Sequence, residues 1–454
     1  MRRARAQPPL PPSIARWTRP ALIVALGCAL ACTPARAAPV AASADAEFRT
    51  EHVVVRGDIG LERIRAWAQL AEAAYPQWKA FFGAEPPRNR VPLELDARTD
   101  RERFLHAIHE VGVQGALPGA GGYYDPKSRR SFLYLQPHES STRLLVLHEL
   151  LHQYQYKALQ DDVPDRSPVW HREGLAEHFG YHRRTATGVE MGALDMVAID
   201  DRPRQCAERV RAGKFDAWAV GTGAAPAPDY VDAMTLVETF LKTTDEGLVE
   251  TYHLWEREVY KAGNANQRFE KLFQPKRARL LAAVEEVWGA WVSPWEVGYI
   301  AWDEEPGAIV GRGMPWAMLV GRTQVPSAAR WIEAEVELGR DATAGGVALG
   351  VKDKEHLILA QLGADGTVLL RRRVDAQWTE FGRVPPTGYA RTGKGVRLRL
   401  ELVGTRATVS IDGIVVLEMD LAAAGVTLAD CDGGAGLCAE TADVRFRGLR
   451  VGGR

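Results

Sequence analysis

The sequence predicts an α+β protein that ends in an antiparallel β-sandwich. Three observations lead there. Residues about 46–145 mix strand and helix patterns, residues about 141–295 read as mostly helical, and from about residue 305 short alternating segments are separated by Gly, Asp and Pro. A chain of 454 residues is long enough for two or three domains, each with its own core. The formal net charge of −1 supplies no long-range attraction to polyanions, so nucleic acid is not an expected partner.

The first forty residues stand apart. Arg2, Arg3, Arg5, Arg16 and Arg19 precede the apolar run "ALIVALGCALAC", and Ala35 and Ala37 form a small-x-small site. This pattern predicts a signal peptide over residues 1–37 and an exported protein, periplasmic or extracellular. The apolar run is roughly half the ~20 residues a spanning helix needs, so no transmembrane segment is expected after cleavage. Cys28 and Cys32 lack the leucine three places earlier that lipid attachment favours. Of the cysteines that remain, Cys431 and Cys438 in "CDGGAGLC" can close a small loop, which leaves Cys206 as a buried or idle thiol.

Within the first part, "EHVVVRG" reads as a strand, "LERIRAWAQLAEAAYPQWKAFFG" as an amphipathic helix and "VPLELDAR" as a strand. "TDRERFLHAIHEVG" follows as a helix capped by Thr99 or Asp100, then "SFLYLQ" as a strand. A Gly/Ala/Pro loop, "GTGAAPAPD", interrupts the helical part. The segment "DEEPGAIVGRGMP" (303–315) reads as a linker, which sets domains at 46–300 and 312–454. Beyond it come "WIEAEVELG", "GGVALGV", "LILAQLG", "TVLLRRRV", "VRLRLELVG", "RATVSIDG", "IVVLEMDL" and "VRFRGLRV" as strands.

The stretch "VLHELLHQYQY" (146–156) carries the chemistry. On a helix, residues four apart share a face, so His148 and His152 can offer two imidazoles to one metal ion. Glu149 lies about 100° round the helix from His148, where it can reach a coordinated water without being a ligand. Zinc lowers the pKa of such a water toward 7, and the carboxylate can take its proton and later deliver it to a leaving amine. The competing reading is a core helix with polar tips.

A catalytic zinc also needs a third protein ligand. "SPVWHREGLAEHFGYH" (167–182) reads as a second helix with Pro168 near its start, and it places Glu173 and Glu177 one turn apart on one face. Geometry alone permits either acid to reach the metal. The plainer reading of that stripe is the solvated face of an amphipathic helix. His171 and His178 flank the acids as rival ligands, and His138, His182 and His253 have no evident partners.

"HELLHQ" followed by "PVWHREGLAEHFG" resembles the gluzincin metallopeptidases, and residues of about 50–295 resemble a group of bacterial gluzincin-like proteins. The resemblance implies a thermolysin-like core, a Zn2+ cofactor held by His148, His152 and Glu173, and Glu149 as general base. It implies Glu177 behind the first histidine, and a peptide or protein substrate. A "G-x-Y-D" turn and an edge strand ahead of the metal helix would pair with an extended peptide, although a plain hairpin explains the same residues. "DYVDAMTLVETFLKT" matches a helix of that group, so Tyr230 is a candidate to stabilise the oxyanion; otherwise it is a half-buried aromatic. "EHF" stands where the group usually has "EYF", outside the proposed ligands.

The C-terminal part resembles concanavalin-A-like jelly-roll modules through its "V-x-V-x-x-D-G" and closing "F-x-x-L-x-V" patterns. That resemblance implies glycan as a possible partner, with Trp331, Trp378 and Tyr389 as candidate stacking residues. The alternative function is therefore non-catalytic glycan binding through the sandwich.

Overall fold

The computed structural model describes residues 44–113, 119–159, 164–194, 202–225, 229–261, 263–291, 295–298, 302–311, 317–321, 329–353, 355–386, 393–441 and 443–453. The expected signal peptide and Tyr389 lie outside the described residues. Among those described, no helix is long and apolar enough to cross a membrane.

The first part is a five-stranded sheet covered by helices. Its elements are β1 (Ala46–Arg49), β2 (Val53–Gly57), α1 (Leu61–Phe82), β3 (Leu93–Arg98), α2 (Arg101–Glu110), β4 (Gly122–Asp125) and β5 (Arg130–Tyr134). The strand order is β1-β2-β3-β5-β4, with β2, β3 and β5 parallel and the two outer strands antiparallel to their neighbours. The buried Val53, Val55, Leu93 and Leu95 face Trp67, Trp78 and Ala71 of α1 in one continuous core. Asp100 caps α2 by accepting from the Arg103 amide at 2.9 Å.

The helical part contains α3 (Glu139–Leu159), α4 (Val169–Gly180), α5 (Arg202–Arg211), α6 (Ala217–Thr222), α7 (Tyr230–Lys242), α8 (Glu246–Val259), α9 (Ala265–Phe273) and α10 (Arg277–Val284). A short hairpin, β6 (His182–Thr185) and β7 (Gly188–Met191), interrupts it after α4. Sequence reading missed this hairpin because "HRRT" and "GVEM" have no apolar alternation.

The sandwich strands are β8 (Trp295–Gly298), β9 (Trp302–Glu305), β10 (Ala308–Gly311), β11 (Ala317–Gly321), β12 (Ala329–Leu338), β13 (Ala344–Asp353) and β14 (His356–Gly363). They continue as β15 (Val368–Val374), β16 (Gln377–Val384), β17 (Val396–Val403), β18 (Arg406–Ile411), β19 (Ile414–Asp420), β20 (Gly434–Glu440) and β21 (Val444–Gly453). They form two seven-stranded sheets, ordered β19-β18-β17-β12-β21-β10-β9 and β16-β15-β14-β13-β20-β11-β8. All the pairings within both sheets are antiparallel, and Ile332, Val336, Leu349, Ile358, Leu398 and Val409 fill the space between them.

One expectation fails here, and one open possibility is answered. The supposed linker at 303–315 contains most of β9 and all of β10, paired from Ala308↔Glu305 to Gly311↔Trp302, and β8 already belongs to the sandwich. Of the Gly and Pro that suggest a linker, Pro306 and Gly307 lie in the β9–β10 turn and Gly311 lies within β10. Cys431 and Cys438 form no disulfide: the glycines between them start strand β20. Cys431 lies in the core between the sheets, whereas Cys438 points to the opposite face of its sheet, beside Ala348 and Leu359.

The sandwich is also fastened to the helical part. The Asp303 carboxylate of β9 accepts from both Nη atoms of Arg143 on α3, at 3.0 and 2.5 Å, and both side chains are buried. Glu304 accepts from Arg183 Nε of β6 at 2.8 Å. Removing one partner of a buried pair strands the other charge, so Asp303→Ala is expected to cost about 3–5 kcal/mol of stability. Urea denaturation of wild type and variant checks this; equal midpoints would show that the contact contributes nothing.

Candidate metal centre

Helix α3 runs between the sheet, α1 and α4, and all its residues from Thr142 to Leu151 are buried. Its polar groups therefore need partners from surrounding elements. Gln153 accepts from the Glu94 amide at 2.5 Å and donates to the Glu94 carbonyl at 2.8 Å, and Lys157 donates to the Pro92 carbonyl at 2.7 Å. These contacts tie α3 to the start of β3 and fix its rotation. His148 and His152 consequently face α4.

Helix α4 begins after Pro168 and lies against both α3 and α7. A Cβ on Gly180 would come 3.2 Å from Leu144 of α3. On Gly174 it would come 2.4 Å from the Ala233 carbonyl of α7. The glycine after Glu173 thus admits α7, and Gly180 is the one that admits α3. With the helices so placed, three acceptor atoms converge. His148 Nε2 and His152 Nε2 are 3.2 Å apart, and Glu173 Oε2 lies 3.4 Å from each.

That triangle fits zinc. Ligands at about 2.0–2.1 Å from a tetrahedral ion stand about 3.3–3.4 Å from one another. The charges fit as well. Burial works to lower the His148 pKa, but Glu173, Glu177 and Glu149 around it push it up to about 10, so this pocket demands positive charge. Burial likewise opposes ionisation of Glu173, and the two imidazoles overcome it and hold the carboxyl well below its usual range.

Behind the triangle, Glu177 Oε1 lies 3.3 Å from His148 Nδ1, and the other carboxylate oxygen pairs with Arg202 of α5. His148 therefore presents one nitrogen to the cluster and the other to a carboxylate, the arrangement that fixes ring orientation in metal sites. Glu149 lies beside the cluster, 6% exposed. Gly122 of β4 leaves room for it, since a Cβ there would come 2.7 Å from the Glu149 carboxylate. Burial raises the Glu149 pKa against the pull of His148, His152 and the Tyr124 amide, which makes its carboxylate a stronger proton acceptor. The Tyr230 ring centroid is 5.8 Å from that of His148. Burial and the Glu173, Glu149 and Glu177 charges keep its phenol protonated, as a donor.

The rival histidines lie elsewhere. His171 Nδ1 is 2.8 Å from Ser167 Oγ, His178 Nδ1 is 2.8 Å from Glu238 Oε1, and His182 Nδ1 is 2.7 Å from the Gly180 carbonyl. His253 pairs with Glu256 at 3.3 Å, and burial lowers the pKa of His138. Glu51, His52 and Glu72 form a second, more exposed group, in which His52 Nδ1 is bound to Glu72 at 2.6 Å. Arg202 escaped sequence reading, because it lies in no motif whose spacing marks it, and the contact of Gly122, the glycine of the "G-x-Y-D" pattern, with Glu149 has no local sign in the sequence.

In the sandwich, Trp331 faces outward from the first sheet, with Arg399 Cζ 4.2 Å from its ring centroid. Trp378 lies on the outer face of the second sheet, with Arg371 Cζ at 3.9 Å and Arg373 Cζ at 5.4 Å. On the same face of that sheet, two residues along β14 from Leu359, Gln361 is 2% exposed, and its Oε1 has no hydrogen-bond partner among the described residues.

No protein-family model and no curated protein matches the chain. Solved structures align over its C-terminal region. The carbohydrate-binding module CBM66 from Bacillus subtilis is 15% identical, covering 35% of this chain and 95% of its own, at a TM-score of 0.32. A homodimeric agglutinin from chicken liver, CG-16, is 16% identical over 30% of this chain and 98% of its own, at 0.24. A glycosyl hydrolase-like protein from Parabacteroides distasonis is 13% identical over 36% of this chain and 88% of its own, at 0.26. The sandwich itself is read from its strand pairing; likenesses this faint carry no argument about a ligand.

The geometry separates the two acids of α4. Glu173→Ala should abolish tight zinc binding, whereas Glu177→Ala should weaken it by ~10–100-fold. Competition titration with a chromogenic chelator measures both; a reversed order would exchange the two assignments.

Proposed function

We propose that the protein is an exported zinc-dependent peptidase, with His148, His152 and Glu173 as ligands and Glu149 as general base. One observation carries this reading: three converging acceptor atoms 3.2–3.4 Å apart, with a buried carboxylate on the next residue of the same helix. Bound zinc supplies a Lewis acid and lowers the pKa of water toward 7.

The chain's own residues do the rest. Glu149 takes a proton from the attacking water as its oxygen bonds to the carbonyl carbon, and returns it to the nitrogen as the C–N bond breaks. Tyr230 donates a hydrogen bond to the carbonyl oxygen as charge gathers there. Among the described strands β4 is the edge of the five-stranded sheet opposite β1, and Gly122 within it adjoins Glu149. An extended peptide pairing with that edge would bring a scissile bond to the base, which supports a peptide as substrate.

A second reading, glycan binding through the sandwich, is compatible with the first. The neighbours named above include a carbohydrate-binding module and an agglutinin, and none is a peptidase; the peptidase reading rests on the cluster alone. Its physical support is the outer face of the second sheet. There an indole, two guanidinium groups and the buried Gln361 carbonyl combine a stacking surface with planar hydrogen-bonding groups.

Each reading has its own test. Glu149→Gln is expected to bind zinc like wild type and to lose peptide hydrolysis, by ~10²–10⁴-fold, because only the proton acceptor is removed. Zinc content by elemental analysis and turnover of a mixed peptide library check this. A variant that keeps its turnover would exclude Glu149 as base. For the second reading, Trp378→Ala is expected to abolish retention on a polysaccharide that holds wild type. Wild type retained by none of a broad panel of polysaccharides would rule out glycan binding.

A further inference from the structure

Arg202, the first residue of α5, lies among groups of the proposed site that belong to two other helices. It is 6% exposed, and its Nη1 pairs with Glu177 of α4, the carboxylate behind His148. Its Cζ lies 5.3 Å from the ring centroid of Tyr230 on α7. A guanidinium is suited to both tasks at once, because its edge donates to a carboxylate while its face covers an aromatic ring. A lysine in its place would supply the charge without the plane.

The same helix grips α7 a second time. Arg209 follows Arg202 by two helical turns, on the same face. It binds Asp229, which caps α7, at 2.9 and 2.6 Å, and Asp232 at 2.7 Å. The backbone immediately before Tyr230 is thus held by Arg209, and the Tyr230 ring by Arg202. Removing Arg202 would take the guanidinium from Glu177, 0% exposed, and leave its buried charge to the His148 imidazole.

We propose that Arg202 is a positioning residue that couples the two sides of the site, holding Glu177 against His148 and the Tyr230 ring beside it. This rests on the peptidase reading. Arg202 is not one of the converging ligands: it acts through Glu177 on zinc affinity and through Tyr230 on turnover.

The test is a double-mutant cycle in zinc affinity, with wild type, Arg202→Met, Glu177→Gln and the double variant, each first shown folded by thermal melting. Arg202→Met is expected to bind zinc ~10–100-fold more weakly than wild type. In the Glu177→Gln background the same change is expected to have little further effect, a non-additivity that general destabilisation would not produce. Arg202→Lys should stay close to wild type in zinc affinity and KM while kcat falls, because it keeps the charge and loses the plane over Tyr230. Should Arg202→Met fail to fold, the lysine variant decides alone, and an unchanged kcat there would overturn the proposal. Wild-type zinc affinity in Arg202→Met, or an equal loss in both backgrounds, would overturn it as well. Wild-type protein that takes up no zinc would overturn the peptidase reading and this inference together, so the two failures are distinguishable.

Discussion

The arrangement of the whole molecule follows from the burial of α3. A helix hidden on all sides is ordinarily apolar, yet this one carries Arg143, His148, Glu149, Gln153 and Lys157 at buried positions. An unpartnered charge in such surroundings costs several kcal/mol, a large share of the net stability of a domain. Different elements therefore supply partners along its length. β9 answers Arg143, α4 answers His148 and His152, β4 makes room for Glu149, and the start of β3 answers Gln153 and Lys157. The polar contacts fix the rotation and height of the helix, and the apolar packing closes around them.

Within that frame the charges around the histidines do not cancel on their own. Glu149, Glu173 and Glu177 bring three carboxylates and Arg202 one guanidinium. With both imidazoles neutral, as metal ligands must be, two negative charges remain, and a divalent cation between the imidazoles would balance them. A purely structural cluster has cheaper solutions, because replacing buried ionic groups with apolar side chains of similar volume is often neutral or stabilising. Charge balance and the spacing of the acceptor atoms thus lead separately to the same kind of ligand.

What could be read from the sequence was whatever local periodicity encodes. His148, Glu149 and His152 stand out because a helical period of 3.6 maps four-residue spacing onto one face. The sandwich stands out because strands such as β12 and β17 alternate buried and less buried residues. Glu173 and Glu177 were legible as a pair, and only the packing of α4 against α3 separates them, with Glu173 turned to both imidazoles and Glu177 to Arg202. Arg202 and Asp303 act across long sequence separations, and no local pattern marks a residue whose partner is brought up by tertiary packing; Gly122 lies in the "G-x-Y-D" pattern, but only the fold brings Glu149 to it. The misread linker and the absent disulfide share one cause. Glycines in "EEPGAIVG" and "CDGGAGLC" suggest a linker and a loop, whereas Gly311 and Gly436 lie within paired strands.

The position of β9 bears on how the two parts of the chain divide. Composition changes near residue 305, but the chain has already placed β8 in one sheet and β9 in the other. The edge of the sandwich closest in sequence to the helices is thereby the edge that carries Asp303 and Glu304 to Arg143 and Arg183. Arg143 precedes His148 by five residues on one continuous helix, about 7.5 Å of axial rise. A helix buried over that length cannot shift at one end without moving the other, since close-packed interiors transmit small displacements. The sandwich edge therefore helps to set where the histidines stand, although no sandwich residue belongs to the converging group.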